Sequence, residues 1–163
     1  MNHKNILFKN FKLNKKTINT KKILTELLKE DNKILQSLST NYSDSYTKKS
    51  LSKYKNFKNI RIIGMGGSSL GTRAIHSFLK HKIKKKLIFF DNLQANRIKD
   101  NRKHLNLIIS KSGNTLETIV NSNIYINKFD KNIFITENKK NYLHILADKL
   151  KSEIVHHNNY IGG

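Results

Sequence analysis

The sequence predicts an α/β fold: a parallel sheet of about five strands with helices on both faces, preceded by an N-terminal helical segment. Three observations carry this reading. From Asn59 onward, the runs NIRIIGMG, KKLIFFDN, LNLIISKS, NIFITEN and SEIVHHN are short, apolar and rich in β-branched or aromatic residues, so each reads as a buried strand. Segments with helical periodicity separate these runs. Strands alternating with helices at this spacing build a parallel sheet covered on both faces.

Taken in order, residues 1 to about 20 are polar and basic with scattered apolar positions, and they read as an arm with weak structure. Between Lys21 and Leu38, the residues Ile23, Leu24, Leu27, Leu28, Ile34, Leu35 and Leu38 recur at helical spacing, which predicts one amphipathic packing helix. The turn formers of NYSDSY, Asn41 to Tyr46, interrupt it, and TKKSLSKYKNF predicts a shorter, weaker helix. These segments make up a first region, 1–57, ahead of an α/β domain over 58–163. Within that domain, helices are expected at Leu70–Leu79, in a short polar stretch near Arg97, at Leu116–Ile126 and at Tyr142–Leu150. No repeat of fixed period is present. In a sheet of this kind ligands bind beyond the carboxyl ends of the strands, where the strand order reverses.

Composition narrows the function classes. With 163 residues, 37% of them hydrophobic, the chain can bury a core of ordinary domain size. It has no cysteine, so disulfides, thiolate metal sites and thiol redox chemistry are excluded. No apolar run reaches the roughly 18 residues a membrane span needs, and the N-terminus lacks the apolar core of a secretory signal; a cytoplasmic protein with no membrane partner is expected. The formal charge of +21 suggests nucleic acid at first sight. The lysines are scattered, however, and accompany an excess of Asn and Ile with no Pro, a bias that AT-rich coding produces; clustered Arg with interleaved aromatics is missing. Nucleic acid is therefore not an expected partner, and attraction to small anions is what the charge supports.

Two loops carry chemistry. The first, IIGMGGSSLGTRAI (Ile62–Ile75), places Gly64, Gly66 and Gly67 where backbone must turn or approach closely, with Ser68 and Ser69 opening a helix whose N–H groups favour anions. It is neither a P-loop nor a G-x-G-x-x-G fingerprint, because Ser69 stands where the third Gly would be. Asp91, ending the next run, occupies roughly the place of a ribose-binding acid, though such a residue is commonly a turn former or cap. The second loop, SKSGNT within LNLIISKSGNTLETIV (Leu105–Val120), offers the hydroxyls of Ser110, Ser112 and Thr115, with Lys111 as a cation, as a helix begins near Asn114 or Thr115. Hydroxyls and amides opening a helix can hold the outer oxygens of a phosphate monoester, and they can equally serve as plain N-caps. Glu117, in the first turn, complements the helix dipole. His76, His81, His104 and His144 occur singly, and the adjacent His156 and His157 face opposite ways on a strand, so no metal site is expected.

The segments GMGGSSLGTRAI, ISKSGNTLETI and FITENKKNYLHILADKL...VHHNNYIGG, with FFDNLQANRI between the first two, together resemble the N-terminal half of the glucose-6-phosphate isomerase (phosphoglucose isomerase) family and its SIS-type phosphosugar-binding domain. The resemblance runs in order from about Asn59 to Gly163 and implies a doubly wound three-layer sandwich. It implies that Ser110, Ser112 and Thr115 bind the sugar phosphate with the Lys111 backbone amide, that Gly67 and Ser68 lie against the sugar, and that Glu117 supports the site. The family interconverts glucose 6-phosphate and fructose 6-phosphate through a cis-enediolate, using a glutamate base, an arginine, a histidine and a lysine, with no cofactor and no metal. None of those four catalytic groups matches a position here, because the chain stops at YIGG, where the family continues into an arginine-containing segment. An isomerase fragment is therefore expected, with no catalytic residue of its own, inactive alone, and partnered by a homodimer mate or a complementary chain. A non-catalytic phosphosugar-binding or regulatory module stands as the alternative.

Overall fold

The computed structural model describes residues 17–93, 102–127 and 130–162, and the chain forms two compact units, 1–42 and 43–163. In the first unit, helices α1 (Thr17–Leu27) and α2 (Lys33–Gln36) replace the single helix expected over Lys21–Leu38. The break has a local cause. Asn32 adopts extended backbone, and its side chain accepts the Ile34 N–H at 2.9 Å, so it starts a new helix instead of continuing the old one. Asp31, beside it, accepts from the Gln36 amide at 2.5 Å. Within this unit the apolar stripe is not covered by the unit's own described residues, with Ile23 63%, Leu28 60% and Leu38 78% exposed.

The second unit holds α3 (Lys48–Ser52), β1 (Asn59–Ile63), α4 (Gly67–Leu79), β2 (Lys86–Phe90), β3 (His104–Ile109), α5 (Leu116–Tyr125), β4 (Lys131–Glu137), α6 (Tyr142–Lys149) and β5 (Glu153–His157). All five expected strands are present. The polar stretch near Arg97 lies outside the described residues. Every strand pairing is parallel, in the order β2-β1-β3-β4-β5.

Helices cover both faces, as two neighbouring residues of β2 show. The Phe89 ring meets His76 and Arg73 of α4, whereas the Phe90 ring lies 4.0 Å from that of Tyr125 on α5. Successive strand residues point to opposite faces, so α4 and α5 flank the sheet from opposite sides. On the α5 side, Phe90, Ile63, Ile108 and Phe134 stand in register across four strands and pack with Tyr125, Leu143 and Ala147 into the main core.

Two residues earlier on the same face, β1, β3 and β4 set polar residues in register. Arg61, Asn106 and Asn132 are all buried; Arg61 donates to the Tyr125 carbonyl at 3.2 Å and lies 3.7 Å from Asp130, and the Asn106 amide reaches Asn132 at 2.8 Å. The strands are thus less uniformly apolar than the runs suggest.

The segment carrying α3 is fastened to the sheet. Glu153 of β5 accepts from the Tyr54 hydroxyl at 2.9 Å and from Lys53 at 2.6 Å, and Lys85 donates to the Lys55 and Phe57 carbonyls. Desolvation acts to raise the Glu153 carboxyl, but the bonds from Lys53 and Tyr54 outweigh it and hold the carboxyl below its ordinary range. No helix among the described residues is long and apolar enough to cross a membrane.

Candidate functional site

Because β1 is followed by β2 on one side and neighbours β3 on the other, the sheet changes direction between β1 and β3. The two chemistry-bearing loops leave the carboxyl ends of these two strands. That is the crevice where doubly wound sheets bind ligands.

Loop one approaches β3 so closely that a side chain is excluded. A Cβ on Gly64 would fall 2.7 Å from the Ile109 carbonyl oxygen and 3.3 Å from the Ser68 Cβ. Gly66, at φ 58°, turns the chain into α4, whose first residues are Gly67 and Ser68. Gly67 is exposed and Ser68 half-buried, while the buried Ser69 hydroxyl turns back to the Gly66 carbonyl at 3.3 Å.

Loop two gathers three hydroxyls. The buried Ser110 Oγ lies 2.9 Å from Thr115 Oγ1 and 3.5 Å from Ser112 Oγ, and it accepts the Gly113 N–H at 3.1 Å. Thr115 stands at the N-cap of α5, yet its side chain makes no capping bond. The Thr115 hydroxyl instead joins the hydroxyl cluster. The α4 N-cap, Gly66, likewise brings no side-chain cap, whereas α2, α3 and α6 are each capped by a side chain. Among the described N-caps, the two left without a side-chain cap are those facing the crevice, and their first-turn N–H groups are the kind that receive anions.

Lys111 lies within loop two, but its ammonium group is turned toward the end of β5: it donates to the Ile161 carbonyl and lies 3.8 Å from Glu137. Glu137 also holds Lys139 at 3.0 Å, and this bond is the main cause that keeps its carboxyl below the ordinary range. Glu117 is half-buried in the first turn of α5. Asp91 is held by Arg73 of α4 at 2.5 Å, and Arg73 stacks on Phe89.

The loop's shape is set by residues that sequence reasoning did not single out. Thr136, near the end of β4, donates to the Lys111 carbonyl at 3.2 Å and accepts from the Asn141 amide at 3.0 Å. Asn141 caps α6 by accepting the His144 N–H at 2.9 Å. The Leu143 N–H bonds to the Gly113 carbonyl at 3.1 Å, and the Tyr142 N–H to the Asn114 side chain at 3.0 Å. The N-terminus of α6 thus clamps the back of loop two. Asn141 carried a local signal, an Asn directly before an apolar helical pattern, but its partners lie across the fold.

Comparison with known proteins gives these features a family. The family model described as phosphoglucose isomerase matches residues 8–152. A glucose-6-phosphate isomerase of Borrelia garinii subsp. bavariensis is 41% identical over 90 residues, 48% of this chain and 17% of that protein. One of Methanocaldococcus jannaschii is 36% identical over 99 residues, 55% of this chain and 24% of that one. The matched stretch is therefore about a quarter or less of these relatives' length. Among solved structures, the tagatose-6-phosphate ketose/aldose isomerase of Escherichia coli superposes with a TM-score of 0.53 at 21% identity, over 68% of this chain and 32% of that one. The Vibrio vulnificus NanR protein complexed with ManNAc-6P superposes at 0.51 and 23%, over 71% and 45%. These two likenesses bear out the SIS-type fold. With a sheet of that fold, both loops at its switch point and a family match over most of its length, the chain belongs to the phosphoglucose isomerase family.

Proposed function

We propose that the crevice between the two loops binds a sugar phosphate and forms the phosphate-holding part of a glucose-6-phosphate isomerase site. The observation that carries this is the cluster of Ser110, Ser112 and Thr115 hydroxyls beside an α5 N-terminus that lacks a side-chain cap. A phosphate monoester dianion accepts hydrogen bonds at its three outer oxygens, and hydroxyls with first-turn N–H groups donate to them at the positive end of a helix. In this reading Ser110, Ser112 and Thr115 donate side-chain hydrogen bonds and Lys111 its backbone N–H. Gly67 and Ser68 border the sugar from the α4 side, and Glu117 supports the site. The sugar phosphates named for the isomerase relatives and for NanR are of the same ligand class.

The aldose–ketose step moves a proton between C2 and C1 through an enediolate, which needs a general base and a positive group for the developing charge. The residues assigned to the crevice hold the phosphate and supply neither role. The chain by itself is therefore proposed to bind without turnover, and isomerisation is proposed for an assembly that adds those groups.

Calorimetric titration of the chain with fructose 6-phosphate tests the binding, with fructose and inorganic phosphate as controls. Binding of the phosphorylated sugar that is at least tenfold weaker in Ser110→Ala is expected, since a buried hub hydroxyl is removed. Equal binding of fructose and fructose 6-phosphate would overturn the reading.

A further inference from the structure

The Lys111 side chain is not used in the site just described, although it is the ammonium group nearest in sequence to the hydroxyl cluster. Its geometry assigns it other work. From the end of β3 it reaches past Glu137 at the end of β4, 3.8 Å away, to donate to the Ile161 carbonyl beyond β5. Its side chain is only 25% exposed, and that of Glu137 14%. The segment it reaches is a turn closed by the Ile161 N–H on the Asn158 carbonyl at 3.2 Å, a carbonyl that also lies 2.8 Å from the His157 Nδ1. One side chain thus spans the carboxyl ends of three neighbouring strands.

We propose that Lys111 is a positioning residue that anchors the Asn158–Gly162 turn beside the phosphate cup, so that this turn borders the sugar end of the ligand. The proposal rests on the sugar-phosphate reading above. It divides the labour within one residue: the Lys111 amide faces the phosphate, and its ammonium group fixes the wall that the remainder of the sugar meets. A charge-assisted bond from an ammonium group to a carbonyl suits this use, being strong and directional. Glu137 keeps the ammonium group oriented, and Lys139 occupies the second carboxylate oxygen.

The test compares Lys111→Met and Lys111→Arg with the unmodified chain, by backbone NMR and by titration with fructose 6-phosphate and inorganic phosphate. In Lys111→Met the Ile161 and Gly162 amides are expected to shift and sharpen toward a mobile segment while the strand amides stay in place. Fructose 6-phosphate should bind on the order of tenfold more weakly, and inorganic phosphate, which fills only the cup, should lose clearly less. Lys111→Arg should restore most of the sugar-phosphate affinity. Unmoved Ile161 and Gly162 amides with unchanged affinity would overturn the anchoring role, as would equal loss for phosphate and sugar phosphate. If the unmodified chain binds no sugar phosphate while the two amides still move in Lys111→Met, it is the site reading that fails and the anchor that stands.

Discussion

Gly113→Ala should destabilise the α/β unit by about 3 kcal/mol, and most of that cost should vanish when Asn141 is already gone. Gly113 sits at φ 68°, where an L side chain costs about 1 kcal/mol. A Cβ there would also fall inside the Asn141 side chain. Asn141 would have to leave, giving up its cap on the His144 N–H and its bond to Thr136, each worth about 1 kcal/mol. Asn141→Ala alone loses those two bonds, about 2 kcal/mol, and the double variant should lose about 3 rather than the roughly 5 that additivity requires. Urea unfolding read by far-UV circular dichroism measures all four corners of the cycle, with the slopes checked for constancy. Gly66→Ala serves as control, because a Cβ there meets nothing within 4 Å and only backbone strain at φ 58° remains. Additive losses from Gly113→Ala and Asn141→Ala would refute the clamp between loop two and α6.

Other expected outcomes follow from single contacts. Gly64→Ala should cost roughly 1–3 kcal/mol in the same assay, because its Cβ meets a strand carbonyl at 2.7 Å that can move only with β3; a cost under 0.5 would show that the two strand ends are not in contact. Asp130→Ala should cost about 3–5 kcal/mol by leaving the buried Arg61 guanidinium without its carboxylate, and a loss no larger than a surface substitution would show that the pair is hydrated. Glu137, whose carboxyl is held below its ordinary value of 4.5 chiefly by Lys139, stabilises the fold above that value and ceases to do so as pH falls through its lowered folded value. Lys139→Met should move its carbon-detected titration midpoint upward, and an unmoved midpoint would remove Lys139 as the cause.

Much of the sheet is legible because buried parallel strands leave a local trace, and NIRII, KLIFF and NIFITE are dense in β-branched and aromatic residues. The break at Asp31–Asn32 is not legible from apolar periodicity, which runs through it undisturbed; it depends on a side chain choosing a capping bond. The row of Arg61, Asn106 and Asn132 escapes notice for a different reason, since each residue looks like an interruption until the register sets them side by side. At the site, glycines and hydroxyls at strand ends announce both loops. Whether Thr115 caps a helix or joins Ser110 is decided by a side-chain rotation that no spacing encodes. The Thr136–Asn141 brace is likewise invisible in sequence, because its partner, Lys111, is 25 residues from Thr136.

The central claim is that the two loops form one sugar-phosphate site, and amide NMR of the chain titrated with fructose 6-phosphate tests it most directly. The account requires Ser68 from loop one and Ser110, Ser112 and Thr115 from loop two to shift together along one saturable curve, with inorganic phosphate moving only the loop-two set. A folded chain in which none of these amides moves, or in which shifts spread over the surface lysines without saturating, would contradict it.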